Sequence, residues 1–133
     1  MKKLMFSMFL AAVLLLPMAR AGTLALDFTG GTPYTNGNWS LGWEFTVNSP
    51  ITVDGLAYYD DNDGQSHEVG IYDSSEVLLV STNVTTADCP VGTAPWCVQS
   101  VTPTVLGDGT YYIVGVSGAD DYAYNPSTLT TIP

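Results

Sequence analysis

The acidic stretch DDNDGQSHEVGIYD, residues 60–73, holds the densest group of side chains able to do chemistry in this sequence. Asp60, Asp61 and Asp63 lie within four positions, and the chain's single histidine, His67, follows them. Carboxylate oxygens are the ligands that calcium prefers, and histidine serves as a general base or a metal ligand. Metal binding and catalysis are therefore the first two hypotheses for this stretch.

The spacing does not match an EF-hand. With Gly64 at the glycine position of the loop, Tyr59 falls at the first ligand position and Gly70 at the last, where the motif needs a carboxylate and a glutamate. An irregular calcium site, built from the three aspartates and a neighbouring loop, stays open as a cofactor hypothesis. Without a second loop closing over these aspartates, we expect calcium binding to be no better than millimolar. We favour a polar hairpin connection with solvated carboxylates, because Asn, Asp and Gly suit turn geometry.

Catalysis has little support in the sequence. His67 alternates with Val69 and Ile71, so the pattern predicts a structural histidine at the rim of the core. There is no G-x-S-x-G motif to present a serine nucleophile. The function we favour is a non-catalytic, secreted or cell-surface domain for envelope or extracellular-matrix interactions. A carboxylate pair such as Glu44 and Glu68 would instead make the chain a small glycan hydrolase, which ranks third. We predict no catalytic residues and no enzyme.

Exposed aromatic rings are a stronger basis for binding. Tyr34, Trp39, Tyr122 and Tyr124 lie in segments rich in turn residues, where rings are available to stack on sugar faces. These four residues are the candidate glycan-stacking site, and a carbohydrate-binding module is the alternative function. By contrast, the alternation in LGWEFTV, residues 41–47, predicts that Trp43 and Phe45 are core residues and that Glu44 faces outward.

The first 21 residues have the features of a cleaved secretory signal. Lys2 and Lys3 precede an apolar run, Leu4 to Leu16, and Ala19-Arg20-Ala21 supplies the small-x-small cleavage pattern. The run is shorter than the roughly 20 residues that a membrane span needs. The mature chain is predicted to be residues 22–133, to be secreted or on the cell surface, and to have no transmembrane segment.

Removal of the signal leaves a strongly acidic chain. All of its Lys and Arg residues lie in residues 1–21, so the remainder keeps 13 Asp and Glu residues and a formal charge of −13. Nucleic-acid binding is excluded, because phosphate recognition depends on Lys and Arg. Extracellular polysaccharide, envelope components and divalent cations remain as partners. Cys89 and Cys97, the two cysteines, are predicted to form a disulfide, as expected of a close pair in an exported chain.

The elements that must position these residues are strands. After the signal, short β-branched and aromatic runs alternate with Gly, Pro, Asn and Asp, and no helical periodicity is found. Turn signals every 8–12 residues predict an all-β fold of about eight strands, an antiparallel β-sandwich of immunoglobulin-like or jelly-roll type. We expect one domain over residues 22–133. The segment from Thr29 to Asn38 is predicted to be a long loop, and Ser74-Ser75 a two-residue hairpin link.

Two segments carry a family resemblance. LGWEFTVNSPITVDGLAYYD and DGQSHEVGIYDSSEVLLVSTNV, followed by GTYYIVG, resemble a domain common in secreted bacterial proteins, many of which carry a Pro-Glu-Pro C-terminal (PEP-CTERM) sorting signal processed by an exosortase. The resemblance implies a β-sandwich of unknown function in envelope or extracellular-matrix proteins. It also implies that such domains continue beyond the STLTT segment, so this domain is expected to be incomplete at its C-terminus.

Overall fold

A computed structural model describes residues 23–34, 37–59, 65–85, 89, 96–118, 122–124 and 127–131. These residues form strands, turns and short connections and contain no helix, so the all-β prediction is confirmed. The predicted signal peptide lies outside the described residues. Asp60, Asp61 and Asp63 of the hypothetical calcium site also lie outside them.

Ten strands are present in the described part of the chain, somewhat more than the eight expected. The additional ones are short strands near the two ends. In chain order the strands are β1 Leu26–Thr29, β2 Thr32–Tyr34, β3 Ser40–Val47, β4 Ile51–Tyr59, β5 Ser66–Asp73, β6 Leu78–Thr85, β7 Trp96–Leu106, β8 Gly109–Val116, β9 Tyr122–Tyr124 and β10 Thr128–Thr131.

The strands pair in antiparallel fashion throughout the described residues. One sheet has four strands in the order β3-β8-β5-β6, and a two-stranded sheet, β4-β7, packs over its β5 and β6 side. β1 pairs with β10 and β2 with β9, so two short ladders join segments from opposite ends of the sequence. The prediction of a long loop from Thr29 to Asn38 was therefore wrong in part, because β2 forms within it.

The core lies between the two sheets. Its buried apolar side chains come from β3 to β7, with one or two from each strand, and are Val47, Leu56, Val69, Ile71, Val84, Cys97 and Leu106. In β5, His67 is buried on the same face as Val69 and Ile71, while Glu68 is exposed. The alternation predicted for that strand is confirmed.

The prediction that Trp43 is a core residue was wrong. Its side chain is 43% exposed, and Leu41 on the same face is exposed as well. Phe45 packs against the core and Glu44 faces solvent, as predicted. β3 is an edge strand two places away from β5, and the two-stranded sheet opposite packs mainly over β5 and β6, so no described strand covers the first half of β3.

Two local features fix the ends of strands. Cys89 and Cys97 form a disulfide, as predicted, which ties the segment after β6 to the start of β7. The β5–β6 hairpin also forms, but its link is residues 74–77 rather than Ser74-Ser75 alone. The Asp73 carboxylate accepts hydrogen bonds from the backbone N–H groups of Ser75 and Val77, at 2.8 and 2.9 Å, and this Asx-type turn closes the hairpin.

Candidate functional site: an aromatic groove

An open groove with a volume of about 350 Å³ lies where the exposed half of β3 faces the end of β4. We call it the aromatic groove, because six of the twelve described residues that line it are Phe, Tyr or Trp. The lining residues are Phe28, Leu41, Gly42, Trp43, Ala57, Tyr58, Tyr59, Val69, Trp96, Ile113, Gly115 and Tyr122.

The β3 wall of the groove is apolar and exposed. Leu41 and Trp43 alternate along the strand, so both side chains point to the groove side of the sheet. Gly42 between them allows a close approach of β3 to β8, because a Cβ atom at this position would collide with the Ile113 carbonyl group. The indole of Trp43 is thus held on a well-paired strand while much of its surface stays in solvent.

Tyr58 forms the inner surface of the groove and is held from two sides. Its ring is stacked on the His67 imidazole, with centroids 3.8 Å apart and planes only 4° from parallel. The Gly115 position in β8 leaves room for the ring, since a Cβ atom there would lie 3.2 Å from a Tyr58 ring carbon. His67 is 2% exposed, and its Nδ1 lies 3.0 Å from the Val116 carbonyl oxygen.

That contact assigns the proton on the imidazole. A carbonyl oxygen only accepts hydrogen bonds, so Nδ1 carries the proton and donates it to Val116. His67 therefore has a structural role: it fixes the Tyr58 ring by stacking and anchors itself to the end of β8.

A second aromatic cluster forms the far end of the groove. Phe28 stacks on Tyr59 with ring centroids 4.5 Å apart, and Trp96 contacts both rings edge-on at 5.4 Å. The indole Nε1 of Trp96 donates a hydrogen bond to the Asp27 carboxylate at 2.9 Å. Aromatic pairs in these geometries contribute about 0.5–1.5 kcal/mol each beyond their burial, so β1 is fastened to the β4-β7 sheet at this end.

The residues predicted to stack on glycans have different positions. Tyr122 lines the groove, and Tyr34 packs edge-on against it with ring centroids 5.8 Å apart. Trp39 is exposed but is not among the lining residues. Tyr124 lies in β9 opposite Thr32, and its side chain is outside the described part of the structure.

The most prominent groove residues were not among the predicted sites. Trp43 was predicted to be core, and Tyr58, Tyr59 and Trp96 were not selected. Their signal was present in the sequence as adjacent rings at a strand end, Tyr58-Tyr59, and as a tryptophan next to a cysteine. Without the sheet order, nothing indicates that these residues meet Trp43.

The electrostatics of the groove are simple. None of the lining residues in the described ranges carries a charge. Among the described residues, no three His, Cys, Asp or Glu side chains are arranged to hold a metal ion.

The notable ionisable pair lies on β3 and β8 outside the groove. A hydrogen bond from Tyr112 to the Glu44 carboxylate, together with the negative charge of Glu44, raises the pKa of the Tyr112 hydroxyl. The carboxylate accepts a hydrogen bond from the neutral phenol, and its negative charge disfavours the negatively charged tyrosinate. Glu44 therefore has a local structural partner on the solvent-facing side of the sheet.

The comparisons with known proteins identify a family. A family described as "Domain of unknown function (DUF4082)" matches residues 31–132, most of the chain. No curated protein and no solved structure matches the sequence significantly. In the described ranges, no helix has the length and apolar character required to cross a membrane.

Proposed function

We propose that this chain, which belongs to the DUF4082 family, is a non-catalytic domain that acts outside the cytoplasm and binds envelope or extracellular-matrix components through the aromatic groove. The observation that carries the proposal is the uncovered apolar half of β3, where Trp43 and Leu41 are exposed beside a groove with six aromatic residues. Exposed apolar surface of this kind is typical of interaction sites. The predicted signal peptide supports the location.

A glycan hydrolase is not favoured by the positions of its candidate carboxylates. In the four-stranded sheet, Glu44 of β3 lies opposite Tyr112 of β8, and Tyr112 lies opposite Tyr72 of β5. Tyr72 is four positions along β5 from Glu68. Strand spacing and rise then place the Cα atoms of the two glutamates about 16 Å apart. Both side chains are exposed, whereas hydrolysis needs carboxyl groups roughly 5–9.5 Å apart on either side of a bound sugar.

A co-sedimentation experiment tests the proposal. The mature chain, residues 22–133, is mixed with insoluble envelope and matrix material from the organism that encodes it, and the bound fraction is measured together with reducing ends released into solution. We expect saturable binding, reduced in Trp43→Ala and unchanged in Val105→Ala, because Val105 is an exposed apolar residue of β7 away from the groove. Released reducing ends would show catalysis, and absence of binding would refute the proposed function.

A further inference from the structure

We infer that the ligand of the aromatic groove is a neutral glycan, with a sugar ring stacked on the indole of Trp43 between β3 and the end of β4. The inference rests on the proposed function and names the ligand class of the same site. It also moves the main contact from the rings selected in the sequence to a residue that the alternation pattern had placed in the core.

Charge restricts the ligand first. No described residue that lines the groove carries a charge, and the chain after residue 21 has no Lys or Arg with which to pair an anionic group. An acidic polysaccharide, a nucleic acid or an anionic lipid head group would meet a formal charge of −13 without a compensating cation. A neutral ligand avoids this repulsion.

The lining chemistry restricts it further. The C–H groups on one face of a sugar ring pack against the electron-rich face of an aromatic ring, while the hydroxyl groups at its edge need hydrogen-bond partners. The groove offers the flat indole of Trp43 together with Tyr59, whose phenol group both donates and accepts hydrogen bonds. A purely aliphatic ligand would not use that hydroxyl group.

The end of β4 adds backbone groups to the site. Ala57, Tyr58 and Tyr59 are consecutive and all line the groove. Because consecutive strand residues point to opposite faces of a sheet, the backbone of β4 as well as its side chains contributes to the surface of the groove.

The shape suits a short section of a polymer. A volume of about 350 Å³ lies at the small end of the 300–1,000 Å³ usual for ligand sites. Because the groove is open rather than enclosed, the polymer can continue beyond it on either side. Tyr34, exposed and packed edge-on against Tyr122, extends the aromatic surface in one of those directions.

The test separates sugar from protein as the bound component. The same matrix material is pretreated either with periodate, which cleaves the vicinal diols of sugars, or with a protease, and binding of the mature chain is then measured. Tryptophan fluorescence titrations follow with two neutral probes, cellohexaose and xylohexaose, both of which carry the 2,3-diols that periodate cleaves. The variants are Trp43→Ala, Trp43→Phe, Trp39→Ala and the control Val105→Ala, each with its thermal unfolding midpoint measured to verify folding.

We expect periodate to abolish binding and protease to leave it unchanged. Trp43→Ala should weaken binding by about fivefold or more, the effect seen when an aromatic ring that stacks on a nucleic-acid base is removed, and Trp43→Phe should restore part of it. Titratable binding of either hexasaccharide would support the inference, and so would periodate-sensitive binding to the matrix alone. Binding lost after protease but not after periodate would identify a protein partner and overturn the glycan inference while leaving the proposed function intact. A loss in Trp39→Ala with none in Trp43→Ala would overturn the location of the site.

Discussion

Replacement of Gly115 by alanine tests whether the Tyr58 ring is as tightly held as the structure indicates. A Cβ atom on Gly115 would lie 3.2 and 3.3 Å from two carbons of that ring and 3.9 Å from a methyl carbon of Val69. The Tyr58 ring cannot move away from this Cβ atom without disturbing its stack on His67, whose ring centroid lies 3.8 Å away. His67 is itself buried and hydrogen-bonded to the end of β8. Overpacking of this kind costs about 1–3 kcal/mol.

Two opposing effects decide the net change. Alanine in a strand is favoured over glycine by about 0.5–1 kcal/mol because it loses less backbone freedom on folding. The steric cost is larger, so Gly115→Ala should destabilise the domain by about 1–2 kcal/mol. In a Tyr58→Ala background the steric partner is gone, and Gly115→Ala should then stabilise by about 0.5–1 kcal/mol.

Urea unfolding followed by tryptophan fluorescence, with the disulfide oxidised, measures the four proteins of this double-mutant cycle. The expected coupling between Gly115 and Tyr58 is about 1.5–3 kcal/mol, well above the 0.3–0.5 kcal/mol scatter seen for independent sites. A Gly115→Ala protein as stable as the wild type would show that the stacked Tyr58 and His67 rings shift to make room for the Cβ atom. An equal penalty in both backgrounds would show that the cost arises elsewhere. Either result would refute the account of a rigid inner surface of the groove.

Three further predictions follow from single contacts. Trp43→Ala should cost about 2 kcal/mol in urea unfolding, roughly half of the 3–5 kcal/mol of a buried ring, because the side chain is 43% exposed; a loss of 4 kcal/mol would mean that the ring is covered. Cys89→Ser should cost about 2.5 kcal/mol in the same assay, the loop entropy of a bridge to Cys97 across a separation of 8 residues; no change would mean that the bridge does not constrain the unfolded chain. Glu44→Gln should lower the pKa of Tyr112, followed by tyrosinate absorbance as a difference from Tyr112→Phe, since Glu44 raises it. The pKa of Tyr112 is higher in the folded chain than in the unfolded chain. The Tyr112–Glu44 interaction therefore stabilises the fold at pH values below the ordinary tyrosine pKa, and this stabilisation is lost as the pH rises through the raised pKa.

The strand pattern was predictable from the sequence where strands have neighbours on both sides. β5 lies between β8 and β6 and is covered by the β4-β7 sheet, so its alternation correctly placed His67 and Val69 inside and Glu68 outside. The disulfide was predictable because its two cysteines are close in sequence and have no competitors. The disulfide depends on residues that are close in sequence. The alternation of β5 depends only on the strand having one buried face, which is the same in any such sheet.

The pairing of the chain ends was not predictable in this way. β2 lies in a segment rich in Gly, Thr and Asn, and it becomes a strand through its partner β9, which is almost 90 residues away along the chain. Local propensity describes fit to a pleated surface rather than an intrinsic backbone preference. The meeting of Tyr34 and Tyr122 depends on this ladder and could not be read from either segment alone.

The failure at Trp43 has a different cause, and it is the one that bears on function. Alternation in LGWEFTV identified the side of β3 that faces inward, and Phe45 and Val47 on that side do reach the core. Alternation does not report how wide the opposite sheet is, and here two strands face four. Leu41 and Trp43 therefore keep the apolar character of inward-facing residues at a place where no described strand covers them. Exposing a tryptophan and a leucine to water contributes nothing to folding, so this half-strand is the part of the described structure to which the proposed binding is assigned. The same reasoning predicts that a polar pair at these two positions would leave the domain folded, at a cost near that of Trp43→Ala, and would abolish retention on the matrix.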